Sequence, residues 1–265
     1  MIDNRRVDAI IIARGGSTRI PRKNMLDICG KPLVVWSIIQ AKACKYVDQV
    51  WVSTDDDEIQ EVSEQYGATV IRRPEWMMDN KYSGEVPFRH AGRYIRDRGE
   101  FDLLLQLLPT SPLRLPGDFD RMFDMYVSKP EPERPKTNAV SCKAMAYGID
   151  KYIDLGDDRC EMEFIDKSGK VLIGACGAAV EDGIGRLDYY DWMQEHEGII
   201  HDTDAVADEQ FIRRDHTRVL EQRDLYYVEV KAWQIYELDS PTQIEMFREL
   251  FEYHIMQHGG EDYYG

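Results

Sequence analysis

Basic side chains are scarce in this chain. Against 49 aspartates and glutamates stand only 33 lysines and arginines, a formal net charge of −16 at pH 7. So acidic a protein is not expected to bind nucleic acid or an anionic membrane non-specifically. Long apolar runs are missing too, and no stretch approaches the roughly 20 residues of a membrane span. Residues 1–8 are polar and the apolar run after them is short, so no secretory leader is expected. Cysteine is thinly spread. Cys29, Cys44, Cys142, Cys160 and Cys176 form no CxxC pair and no metal-like spacing. Isolated thiols of this kind fit a reducing cytoplasm rather than a disulfide framework. There is no internal repeat, no Walker A loop and no GxGxxG fingerprint. None of the six histidines sits in a motif, so no general base is named.

What is present is an alternation of strand and helix signals. The chain has 265 residues, 43% of them hydrophobic, enough for one α/β domain, 1–265, with a small appended lobe. Residues 7–13 are an isoleucine-rich run bounded by a glycine loop, the pattern of a buried parallel strand. Residues 32–43 read as a helix with Leu33, Trp36, Ile39 and Ala43 on one face. Strands are expected at 49–53, 69–72 and 103–108, and helices at 56–66, 87–98 and 118–126. Gly67 is placed to end the second helix, and Pro87 is tolerated in a first turn. This order predicts a parallel sheet covered on both faces. The proline-rich charged stretch 129–138 breaks the pattern. Beyond it, strands are expected at 139–142, 171–180 and 225–230. A last amphipathic helix spans 240–254, with Ser240 as its N-cap and Pro241 at its first position. The tail, 259–265, is expected to fray.

The most informative segment is Ala13-Arg14-Gly15-Gly16-Ser17-Thr18-Arg19-Ile20-Pro21-Arg22-Lys23-Asn24. It follows the first strand directly, and open α/β sheets bind ligands beyond the carboxyl ends of their strands. Two glycines let the backbone approach an anion and aim its N–H groups at it. Arg14, Arg19, Arg22 and Lys23 concentrate positive charge there in a chain that is acidic elsewhere. That focus suits a triphosphate; a basic surface turn is the plainer alternative. Near the other end, Glu237 and Asp239 stand two apart after a strand-like run, so both carboxylates can point the same way. Such a pair suits Mg²⁺ shared with phosphate oxygens. Asp239 can equally be a charge at a helix N-terminus.

The loop resembles the nucleotide-binding signature of the acylneuraminate cytidylyltransferases, the CMP-sialic acid synthetases and their relatives. Further matching pieces follow in that family's order: Gly30-Lys31-Pro32-Leu33, Val52-Ser53-Thr54-Asp55-Asp56, Arg73-Pro74-Glu75, Pro109-Thr110-Ser111-Pro112-Leu113-Arg114 and Glu237-Leu238-Asp239-Ser240-Pro241. The resemblance implies a doubly wound, mostly parallel α/β sheet of the Rossmann-like nucleotidyltransferase type. It also implies a homodimer through a dimerisation arm or acceptor-site lobe, here within 144–204. The implied reaction is transfer of CMP from CTP to a sugar acceptor, an acidic sugar of the nonulosonic-acid type, with release of pyrophosphate. Arg14 and Lys23 would then hold the triphosphate and stabilise the departing pyrophosphate. Ala13, Gly15, Gly16 and Ser17 would line the phosphates, and Asn24, Arg73 and Ser83 would face the nucleoside. Glu237 and Asp239 would hold Mg²⁺, although the family usually has Asp where Glu237 stands.

The acceptor half departs from the family pattern. Leu108 occupies the place of a sugar-touching glutamine, with Gln106 two residues earlier. The family's Arg-x-Asn-Gly-Ala region reads Gly174-Ala175-Cys176-Gly177-Ala178, and Ile12 stands where a proline usually precedes the alanine. Gln106, Thr110, Ser111 and Lys151 are the acceptor-side candidates. Two alternatives stay open: a different donor or acceptor, such as GTP or a sugar phosphate, and a non-catalytic nucleotide-binding protein of the same fold.

Overall fold

The computed structural model describes residues 2, 4–78, 85–98, 103–128, 137–141, 149–156, 159–164, 178–182, 225–229 and 231–258. Ser83, Gly174 to Gly177, most of 144–204 and the tail 259–265 lie outside them.

The order of elements through the first half is β1 (Val7–Ile12), β2 (Asp27–Ile28), β3 (Lys31–Pro32), α1 (Leu33–Ala43), β4 (Gln49–Thr54), α2 (Asp57–Gln65), β5 (Thr69–Arg72), α3 (Glu85–Arg96), β6 (Leu103–Leu107) and α4 (Asp118–Ser128). Apart from the two-residue strands β2 and β3, which periodicity does not reveal, these fall within two residues of the expected bounds. Asp56 is the N-cap of α2 and not part of it, its side chain accepting from the Ile59 N–H. Gly67 follows α2 with φ +77°, a left-handed conformation that a glycine adopts freely.

Strand β1 pairs in parallel with β4 on one side and β6 on the other, and β4 pairs in parallel with β5. The chain therefore moves outward from β1 to β5 and returns to the far side of β1. The crevice left where the order reverses lies at the carboxyl end of β1, where open α/β sheets hold their ligands.

Alternation along β1 fixes the two faces. Val7, Ala9 and Ile11 pack with Val34, Val35 and Ile38 of α1, Ile59 of α2 and Phe119, Met122 and Phe123 of α4. Ile10 packs on the opposite face with Trp51 and with Phe88, Ala91 and Ile95 of α3. The sheet is thus covered on both sides, which is why its strands read as continuous apolar runs.

Helix α1 departs from the single apolar face expected of it. Eight of its residues are buried, Leu33 to Ile38 together with Gln40 and Ala41, while Ala43 is exposed. The reason is a second cluster on its other side. Leu33 and Trp36 pack there with Ile20, Ile28, Leu113, Leu238, Phe247 and Phe251. The last two belong to α5 (Ile244–Phe251), which is preceded by the short turn Pro241–Gln243 and its N-cap Ser240. A helix buried on two sides carries no polar stripe, and a search for amphipathic spacing misjudges it.

The second half adds β7 (Thr137–Ser141), β8 (Ile149–Gly156), β9 (Arg159–Phe164), β10 (Ala178–Asp182) and β11 (Leu225–Glu229). The full sheet runs β5-β4-β1-β6-β10-β7-β11-β9-β8. Strand β10 lies antiparallel between β6 and β7, so residues 178–182 are part of the main sheet. The hairpin of β8 and β9, which hydropathy patterning does not predict, closes the far edge.

The ring of Phe251 lies 4.6 Å from that of Trp36 and is fully buried. Phe251→Ala is expected to lower stability by about 3–5 kcal/mol, the range for removing a large buried ring. Urea unfolding measures it, and a loss below about 1 kcal/mol would show that α5 is not part of the core.

Candidate active site

The loop after β1 is tied down at several points. Ala13 extends the strand pairing, its N–H donating to the Ser53 carbonyl at 3.0 Å. The Asn24 amide donates to the Arg14 carbonyl at 2.8 Å and closes the base of the loop. The Gly15 N–H donates to Asp55 Oδ1 at 2.8 Å. Arg22, in the left-handed region at φ 56°, pairs with Asp56 and Glu58 at the start of α2. Ile20 inserts into the second apolar cluster. A long glycine-bearing loop would be costly to order at the moment of binding; here it is ordered in advance.

The two glycines have different causes. A Cβ on Gly15 would collide with the Asp56 side chain, whereas a Cβ on Gly16 would meet nothing within 4 Å. Gly15 is demanded by the protein's own packing. At Gly16, open space in front of an exposed backbone leaves room for a ligand to approach the main chain.

Charge in the loop is more balanced than its sequence suggests. Lys23 Nζ donates to Asp239 Oδ1 at 3.0 Å and to the Leu238 carbonyl at 3.0 Å. Arg19 pairs with Asp239 Oδ2 at 3.1 Å. Arg19, Arg22 and Lys23, all expected to face a triphosphate, therefore already have carboxylate partners. Arg22 is turned toward α2 and serves as a clamp. Burial pushes the Asp239 carboxyl up, but Lys23 and then Arg19 outweigh it and hold it below the ordinary value. Asp239 is also not a helix cap: Ser240 caps the turn that follows, and Gln243 Oε1 accepts from the N–H groups of both Asp239 and Ser240.

Arg73 is buried beneath the carboxyl end of β4. Its guanidinium donates to Ser53 Oγ at 3.0 Å and to the Ser53 carbonyl at 2.8 Å. Burial pulls its pKa down to about 10, with Asp55 opposing and Arg14 adding to the effect. Arg14, Asp55 and Arg73 therefore sense one another at the mouth of the crevice.

Glu237 is half-buried and accepts from Ser111 Oγ at 3.1 Å. Burial raises its pKa, and the neighbouring Asp239 adds to this, while Ser111, Lys23 and Arg114 act the other way. The backbone completes the junction, with the Leu238 N–H donating to the Thr110 carbonyl at 2.8 Å. Loop, Pro109–Arg114 stretch and carboxylate pair thus meet in one place. Two carboxylates are too few for an all-protein cage, and among the described residues no group of three or more metal-binding side chains exists. Two do suit a cation that completes its shell with phosphate oxygens.

The acceptor-side candidates are dispersed. Ser111 is fully buried. Gln106 is half-buried on β6, opposite Ile10 of β1 and Ala179 of β10. Lys151 lies on β8, six strand spacings from β1, roughly 30 Å at about 4.8 Å per strand. Within one chain it is not part of this site, because the hairpin that carries it forms the opposite edge of the sheet.

Residues 9–84 match the family described as cytidylyltransferase. N-acylneuraminate cytidylyltransferase B of Danio rerio is 44% identical over 105 residues, 39% of this chain and 24% of that protein. Pseudaminic acid cytidylyltransferase of Campylobacter jejuni is 39% identical over 120 residues, 44% of this chain and 52% of that protein. Over this segment the chain is similar to acylneuraminate and pseudaminic acid cytidylyltransferases. The matched segments make up from about a quarter to about half of the length of these relatives. A solved CMP:2-keto-3-deoxy-manno-octonic acid synthetase complexed with CTP shares the fold at TM-score 0.65, covering 94% of this chain and 99% of that one at 19% identity.

Asp55 and Asp56 have no role assigned from their motif, yet both engage the loop. They stand immediately beyond β4, at the same sheet edge as the loop, and that position was the available signal. The Arg22–Asp56 pair is at full strength above the ordinary carboxylate range. It weakens as pH falls through the Asp56 value, which the Arg22 hydrogen bond lowers.

The contrast between the glycines is testable by calorimetry. Gly15→Ala is expected to lower the melting temperature by several degrees, since the methyl must displace Asp56; a shift of this size corresponds to roughly 1–2 kcal/mol. Gly16→Ala is expected to leave it within about one degree. Equal shifts would mean that the loop is packed differently.

Proposed function

We propose that this protein is a cytidylyltransferase that transfers CMP from CTP to an acidic sugar of the nonulosonic-acid type and releases pyrophosphate. The observation that carries this reading is the Lys23–Asp239 contact, which brings a nucleotide loop and a carboxylate pair together. A pure nucleotide binder has no need of the second element.

In the reaction, a hydroxyl oxygen of the acceptor attacks the α-phosphorus in line. The bond to the β-phosphate oxygen breaks and its electron pair leaves with pyrophosphate; the hydroxyl proton passes to solvent. Lys23 and Arg14 neutralise charge that builds on the leaving group, and the ordered loop places the phosphates. Glu237 and Asp239 are suited to hold magnesium, which supplies Lewis-acid stabilisation of the phosphate oxygens when bound. Lys23 and Arg19 exchange Asp239 for phosphate oxygens as the nucleotide enters. Asn24 and Arg73 act from beneath: one closes the loop and the other shapes the floor of the nucleoside side.

The proposal extends to a homodimer working in the cytoplasm. No helix among the described residues is long and apolar enough to cross a membrane.

With Mg²⁺ present, CTP is expected to raise the melting temperature more than GTP or UTP does. Lys23→Ala and Arg14→Ala are each expected to reduce pyrophosphate release at least about 100-fold, the scale of a lost preorganised charge. A larger shift with GTP or UTP overturns the donor, and near-normal turnover in either variant removes that residue from the mechanism.

The acceptor is expected to be an acidic sugar other than N-acetylneuraminate. Leu108 offers no polar partner, and each buried acceptor group left unpaired costs about 1–3 kcal/mol. Steady-state kinetics over a panel of acidic sugars tests this. A kcat/KM for N-acetylneuraminate at or above about 10⁴ M⁻¹s⁻¹, ordinary enzyme efficiency, would show that the departures at this site are without consequence.

A further inference from the structure

Ser111 lies in the Pro109–Arg114 stretch, yet no part of it is exposed to solvent. Its hydroxyl points at a carboxylate, Glu237 Oε1, 3.1 Å away. We propose that Ser111 is a positioning residue whose buried hydroxyl locks the Glu237 carboxylate beside Asp239, so that the two can share one divalent cation. The inference rests on the metal-dependent transfer proposed above.

The need for such a lock follows from side-chain length. A glutamate carries one torsion more than an aspartate, and that freedom must be frozen before its carboxylate can act with a neighbour. Asp239 is held by Lys23 and Arg19. Glu237 is held by a neutral hydroxyl, which orients one oxygen without cancelling the charge and leaves the other oxygen for a cation. Outer partners of this kind fix the direction of metal-binding side chains.

Ser111 is itself braced from behind. Its N–H donates to the Leu108 carbonyl at 3.2 Å, and prolines flank the Thr110-Ser111 pair. Arg114, 1% exposed, donates to the same Leu108 carbonyl at 2.6 Å, to Gln40 Oε1 at 2.7 Å and to Ser37 Oγ at 3.1 Å. Gln40 in turn donates to the Pro112 carbonyl at 2.8 Å. Helix α1 thus grips residues 108–114 through buried polar bonds, and that stretch grips Glu237 and Leu238. Removing Arg114 would leave several buried groups without partners and endanger folding, so the test is made at Ser111.

Mn²⁺ is titrated in the presence of CTP and free Mn²⁺ is read by electron paramagnetic resonance. Wild type, Ser111→Ala, Glu237→Asp, the double variant and Asp239→Asn are compared. Ser111→Ala is expected to weaken Mn²⁺ binding about 10–100-fold, the usual effect of losing an outer partner. Its Mg²⁺ half-saturation in turnover should rise in parallel, with kcat at saturating Mg²⁺ largely kept. In the Glu237→Asp background the same change should cost less than about threefold, because the shorter side chain does not reach the hydroxyl. Equal losses in both backgrounds overturn the inference, since Ser111 would then act on folding alone. Binding that is lost in Asp239→Asn but unchanged in Ser111→Ala overturns it while leaving the proposed reaction intact. Absence of Mn²⁺ binding by wild type overturns this inference and the metal reading together.

Discussion

The contact between Lys23 and Asp239 joins positions 216 residues apart, and the arrangement of the site depends on it. An ion pair with one partner well exposed adds little stability of its own. What brings its two partners together is their surroundings. Ile20, three residues before Lys23, and Leu238, next to Asp239, are buried in the same apolar cluster. Lys23 also donates to the Leu238 carbonyl, and the Leu238 N–H is taken by Thr110. Hydrophobic burial brings the two segments together, the backbone bonds set their alignment, and the ion pair aims the side chains.

Much of this arrangement is local and was therefore legible in the sequence. Strand β1, the glycine loop and the N-cap at Ser240 each declare themselves within a few residues. The order of motifs leads one to expect the carboxylate pair and the loop in one site, and the structure brings the two together. What was not legible depends on partners far away in the chain. Arg22 reads as one more cation for a ligand until Asp56 and Glu58 are seen beside it. Ser111 reads as an acceptor-side candidate in a proline-flanked loop, because nothing nearby reveals that its hydroxyl will meet Glu237. Helix α1 misled for the opposite reason: burial on two sides erased the periodicity from which a single face is read.

The division between a well-matched nucleotide half and a divergent acceptor half has a structural counterpart. Strands β5, β4, β1 and β6 form a parallel block whose crevice is defined by connectivity alone. Antiparallel β10 marks the end of that block, and beyond it the sheet is built from the later part of the chain. Changes beyond β10 can alter what approaches the crevice without disturbing the loop, since the loop's ties run to β4, α2 and the residues around 238.

The span of the Lys23–Asp239 contact also bears on how the protein is made. The parallel block β5-β4-β1-β6, with the loop at its edge, uses only residues up to Leu107. It can assemble while the ribosome is still far from Asp239, as amino-terminal regions tend to fold first. For that interval Lys23 and Arg19 lack the carboxylate that later covers them. The nascent chain then presents a cationic loop that any passing polyphosphate can engage, and synthesis of the last segment both completes the site and ends that exposure.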